Sequence, residues 1–149
     1  MSNFLILPAT KEAAIEVASN LRPDDYREVV EGHGQDPMEI VDHVLESHSS
    51  YAVSPDGRTA ALAGVYDDGC VWMLCTPVIE EYPISFGRVC RRWIKAFDNA
   101  YLYNIIDKRN TVHINLIKHL GFTLGEEFEY GPNNLTFIEF YRWFGAQSH

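Results

Sequence analysis

The chain has 149 residues, 46 % of them hydrophobic and 22 % charged. That is enough for one well-buried domain and short for two, so residues 1–149 are read as a single domain. The formal charge of −9 works against nonspecific contact with phosphate backbones, so direct nucleic-acid binding is not expected; partners are expected among proteins, basic groups or a small ligand held by a local patch.

The N-terminal "MSNFLILPAT" lacks the basic lead and long apolar core of a signal peptide, and no segment has the length of apolar run that spans a bilayer. Cys70, Cys75 and Cys90 are odd in number and have no paired metal-ligand spacing, which predicts free thiols in a reducing compartment. "NFLILP" predicts a first strand stopped by Pro8. Thr10 is placed to cap a helix over "KEAAIEVASNL", with Ala14, Val17, Ala18 and Leu21 on one face. "RPDDYREVVEGHG" predicts a second short helix. "DPMEIVDHVLESHSS" predicts a third, with Pro37 in its first turn and Met38, Val41, Val44 and Leu45 inward.

The apolar period then changes. "SYAVSPDGRTAALAGVYDDGCVWMLCT" predicts strands turned at Pro55-Asp56-Gly57 and Asp67-Asp68-Gly69. "YPISFGRVCRRWIKAFDNA" predicts an amphipathic helix with Phe86, Val89, Cys90, Trp93 and Phe97 inward. "AYLYNII" predicts a strand, and "NTVHINLIKHLG" a helix that Asn110 can cap and Gly121 can end. On that helix Val112, Leu116, Ile117 and Leu120 share an arc, and His113 lies inside it. "FTLGEEFEY" and "LTFIEFYRW" predict two more strands joined at Gly131-Pro132-Asn133-Asn134. Large apolar groups on both faces of the last strand predict cover on both sides, by a helix and by a partner subunit or the domain's own helices. Trp143 and Phe144 are candidates for association.

The spacing from Asn110 to Gly121-Phe122 resembles motif B of the GCN5-related N-acetyltransferases (GNAT), and the order of predicted elements agrees over nearly the whole chain. The resemblance implies an α/β fold with a mixed, mostly antiparallel sheet and helices on both faces. It implies acetyl-CoA as cofactor if the protein is active, and none otherwise. "VWMLCT", "RRWIKAF", "YNIIDKRNTVHINLIKHLGF" and "FIEFYRW" are together similar to the short acetyltransferase-like proteins of tailed phages, a group that includes internal virion protein A of short-tailed coliphages. This implies a place in the host cytoplasm or the virion, with phage virion proteins or a second copy of the chain as partners.

The residues needed for acyl transfer are only partly present. The family's glycine-rich pyrophosphate loop after the fourth strand corresponds to "CTPVIEEYPISFGRV", which has one glycine, Gly87, and two acidic residues, Glu80 and Glu81. The Tyr that often serves as general acid seven residues after the motif-B Asn is Ile117. Thr76, Gly87, Arg88 and Asn110 are the candidate cofactor-binding residues. His113 is the candidate for acid/base work, with a half-buried His bonded to a backbone carbonyl as the plainer alternative. In an active enzyme a substrate amine would attack the thioester while amides of the fourth strand polarised its carbonyl. Arg88, Arg91, Arg92 and Lys95 form a basic stripe suited to phosphate, to an acidic partner or simply to water. Cys75 is read as a small core residue. His43 and His48, and His113 and His119, do not share a helical face, so no metal site is expected.

Overall fold

The computed structural model describes residues 3–97 and 100–143. Strand β1 (Leu5–Pro8) pairs antiparallel with β2 (His48–Val53), β2 with β3 (Thr59–Val65), and β3 with β4 (Val71–Cys75). A second sheet has the order β5-β7-β6, from β5 (Tyr101–Asp107), β7 (Leu135–Trp143) and β6 (Thr123–Tyr130). The sheets touch through one parallel bridge, Cys70 to Tyr103, and then splay apart along β4 and β5.

Helices cover both faces. Thr10 caps α1 (Lys11–Ser19) by accepting from the Ala13 amide. α2 (Pro23–Arg27) runs on into one π-helical turn, Glu28–Gly32. α3 (Pro37–Val44) opens with a capping box between Asp36 and Glu39. Ala14, Val17 and Ala18 of α1 and Val41 and Val44 of α3 pack on Leu62 of β3. Burying a side chain such as Val17 contributes about 1.5–3 kcal/mol. On the other face lie α4 (Pro83–Ile94), with Phe86, Val89, Cys90 and Ile94 buried, and α5 (Thr111–His119). A 3₁₀ turn, Lys95–Phe97, follows α4.

Three inward assignments fail. Met38 and Leu45 are 44 % and 53 % exposed, because the buried stripe of α3 is Pro37, Val41 and Val44. Each exposed residue lies one position beyond a member of that stripe, a rotation of roughly 100°. Val112 lies in the first turn of α5 and is likewise exposed. On β7, Ile138 and Phe140 are buried in the core shared with Ile117, Leu120 and Phe122. Phe137 on the opposite face sits beneath His33 and the π turn, whereas Glu139 and Tyr141 beyond it emerge to solvent. Trp143 is 46 % exposed, and Phe144 lies outside the described residues.

Candidate functional site

The splay creates the site. Thr76 N–H donates to Ala60 on β3, so alternation turns the backbone groups of Cys75, Met73 and Val71 toward β5. Two of these, the Cys75 amide and the Val71 carbonyl, find side chains instead of a neighbouring strand. Asn104 donates to the Val71 carbonyl at 2.7 Å and accepts from the Ile105 amide at 2.7 Å, spanning the gap. At the wider end α2 steps in. Asp25 Oδ2 accepts from Cys75 N–H at 2.7 Å, the Arg22 amide donates to the Cys75 carbonyl, and Glu28 accepts from Asp107 N–H at 3.2 Å.

Between these two closures runs a cavity of about 440 Å³, lined by Met73, Leu74, Ile105 and Ile106 of the splayed strands. Glu28 and His33 lie on its α2–α3 side, and His113, Ile117 and Leu120 on the α5 side. Trp72 lines it too, its indole N–H held by Ser47 Oγ at 3.2 Å.

A charged network closes the wide end. Arg22 is buried and donates to Asp25 at 2.9 Å, Glu80 at 2.8 Å and the Asn110 side-chain oxygen at 3.4 Å. Asn110 Nδ2 donates to Asp25 at 2.9 Å and to Glu28 at 3.4 Å. Burial, and next the Asp25 charge, push the Glu28 carboxyl up to about 8. Burial also raises the Cys75 thiol and lowers His113, the latter against the opposing pull of Asp25.

The sequence-derived candidates fall in three places. His113 is inside the site, 7 % exposed, with Nε2 3.5 Å from Asp25 Oδ2. It is more deeply buried than the half-buried alternative, and its Nε2 bonds no carbonyl, because the acidic α2 faces it. Asn110 is in the network and makes no capping bond to α5, since its side chain turns inward to Arg22 and Asp25. Thr76 is buried, its hydroxyl engaged with the Ala60 carbonyl and the Val78 amide. Gly87 and Arg88 are elsewhere, in the second turn of α4. An added Cβ at Gly87 would make only ordinary contact with His119. Arg88 is exposed. Asp25 and Glu28 were not singled out from the sequence. Their only signal there is two acidic residues on the inner side of a short helix.

Comparison with protein-family models and with curated protein sequences gives no match. Solved structures do match. A chimera of spermidine N-acetyltransferase from Vibrio cholerae and hSSAT superimposes with a TM-score of 0.69 at 9 % identity, over 95 % of this chain and 96 % of the other. A GNAT superfamily phosphinothricin acetyltransferase from Sinorhizobium meliloti, in complex with AcCoA, gives 0.67 at 14 % identity, over 99 % and 92 %. Spermidine N-acetyltransferase from Vibrio cholerae in complex with CoA and spermine gives 0.66 at 10 %, over 94 % and 95 %. The chain has the GNAT acyl-CoA N-acyltransferase fold.

In a GNAT fold the cofactor's pyrophosphate is expected where β4 leads into the next helix. The residues here do not fit that group. A 3₁₀ turn, Pro77–Glu81, replaces the glycine-rich loop, and Thr76 Oγ1 takes its Val78 amide. Pro83, the first residue of α4, has no N–H to offer. Glu80 and Glu81 bring carboxylates, and the cations beside them are already engaged, Arg22 by Glu80 and Arg58 by Glu81.

Proposed function

We propose that this is a GNAT-fold protein of a tailed phage that works through protein contacts, in building the virion or preparing DNA ejection, with acyl transfer weak or lost. The observation that carries the loss of transfer is the pair of hydrogen bonds that Asp25 and Glu28 accept from the Cys75 amide of β4 and the Asp107 amide of β5. They occupy backbone groups that a ligand threaded between the strands would need. The unsuitable start of α4 points the same way. The phage setting rests on the sequence resemblance from "VWMLCT" to "FIEFYRW".

A second reading, an acyl-CoA-dependent N-acetyltransferase acting on an amine, is favoured by the cavity that remains open between Met73 and Ile105. Glu28 lines it and holds its proton to about pH 8, close to the range in which a base can take a proton from an amine. Calorimetric titration with acetyl-CoA separates the two. No heat at high ligand concentration from folded protein is the expected result. Micromolar binding of acetyl-CoA would overturn the first reading and turn attention to amine acceptors.

A further inference from the structure

We propose that Asp25, Cys75 and His113 bind a divalent transition-metal ion of the zinc class. The three come from α2, the end of β4 and α5. They bring one donor atom each to within 4.8 Å of one another, and all three are buried. A thiol, an imidazole and a carboxylate make a donor set for zinc, whereas calcium and magnesium take oxygen ligands.

The spacing of the nitrogen and oxygen donors is the second observation. His113 Nε2 lies 3.5 Å from Asp25 Oδ2, outside the usual range of an N–H···O hydrogen bond. That nitrogen is fully shielded from solvent and has no hydrogen-bond partner. A buried imidazole nitrogen left in this state is costly. Two ligands each roughly 2.1 Å from a tetrahedral ion stand roughly 3.4 Å apart. The pair is therefore at a metal-bridged separation, and an ion between them would satisfy the orphaned nitrogen.

The surroundings support the arrangement. Arg22 binds Asp25 through the other oxygen, Oδ1, at 2.9 Å, while Oδ2 also accepts from the Cys75 amide at 2.7 Å and would offer its second lone pair to the ion. Its charge is also met by Glu80 and Asp24, so it acts as an outer partner that orients the carboxylate. As the sulfur–metal bond forms, the thiol proton of Cys75 leaves to solvent. His113 also lines the cavity, whose lining includes neither Asp25 nor Cys75; a water taken in with the ion would complete four-coordination. The assignment is independent of whether acetyl-CoA binds.

Chelator-stripped full-length protein titrated with Co²⁺ tests it. One ion should bind per chain, giving the visible bands of four-coordinate cobalt and a thiolate charge-transfer band, both abolished by excess Zn²⁺. Cys75→Ser should remove the charge-transfer band and weaken binding about a hundredfold or more. Cys70→Ser, which changes the half-exposed thiol, should alter neither. Should Cys75→Ser not fold, His113→Gln keeps the sulfur and should weaken binding by a similar factor. Absence of uptake by folded wild-type protein, a charge-transfer band that survives in folded Cys75→Ser, or an unchanged affinity in His113→Gln would overturn the site.

Discussion

Glu28 ties three elements together through one carboxylate. It leaves α2, accepts from the Asp107 amide of β5 and meets the Asn110 side chain at the start of α5. Its carboxyl is raised from an ordinary 4.5 to about 8, so the folded state keeps a proton that the unfolded chain has lost. Between those two values the folded protein binds more protons, and stability falls as pH rises. Glu28→Gln retains both acceptor contacts and removes the titration. Its stability relative to wild type should improve from pH 5 to pH 8.5, on the order of 4 kcal/mol, as read by urea unfolding at the two pH values. An unchanged difference would show that the carboxyl titrates normally. At this scale the sequence was half legible. The helical arc marked His113 as inward-facing, and it is. Nothing local could show that Asn110 would abandon its cap, because its partners Arg22 and Asp25 stand 88 and 85 positions away. Asp25 meets Cys75 across 50 positions, beyond the reach of any spacing rule.

The hairpin between β6 and β7 is the element on which the helical side rests. Its turn is Gly131-Pro132-Asn133-Asn134, and Asn133 donates to the Glu31 carbonyl of the π turn at 2.9 Å. Gly131 has φ +80°, and a Cβ there would lie 1.9 Å from the Gly32 carbonyl oxygen. No rotamer relieves a clash between two backbones. Gly131→Ala should cost more than about 2 kcal/mol and loosen the π turn. Gly57→Ala is the comparison. Its φ is +89°, but the added methyl meets open space, so only the left-handed backbone is penalised, about 1–2 kcal/mol. Thermal unfolding of both variants gives the contrast, and equal losses would mean that the contact with Gly32 contributes nothing. The π turn itself was not legible. "REVVEG" reads as continuing helix, and the widened turn becomes visible only when Gly32 is seen packed against the Phe137 ring.

Among the described residues the molecule is two antiparallel sheets held at one end by a single bridge and kept apart along the rest. Asn104 is the side chain that spans the start of the gap. Asn104→Leu keeps the volume but strands the Val71 carbonyl and the Ile105 amide. Protection of the Ile105 amide against hydrogen exchange should drop about tenfold, from roughly 1–2 kcal/mol of lost bonding. Amides in the β5–β7 ladder should keep theirs; a uniform loss would instead mean global destabilisation. The order of elements was legible from capping residues and changes of period, and so was the helical cover of both faces. Where β4 and β5 part was not, since apolar strands that pair and apolar strands that diverge share the same pattern.

The cations are unevenly distributed over the fold. Arg22, Arg27, Arg58, Lys108 and Arg109 are all neutralised by nearby carboxylates. Arg88, Arg91 and Arg92 on α4, Lys95 just beyond it and Lys118 on α5 are exposed, and none makes an ion pair among the described residues. A chain of net charge −9 thus gathers most of its uncompensated positive groups on α4, the turn after it and α5, while Lys11 at the start of α1 stands apart from them. That asymmetry is a permanent electric dipole fixed in the molecular frame. Near any charged surface such a particle turns before it touches, so the side it presents is set by the sign of the surface rather than by chance.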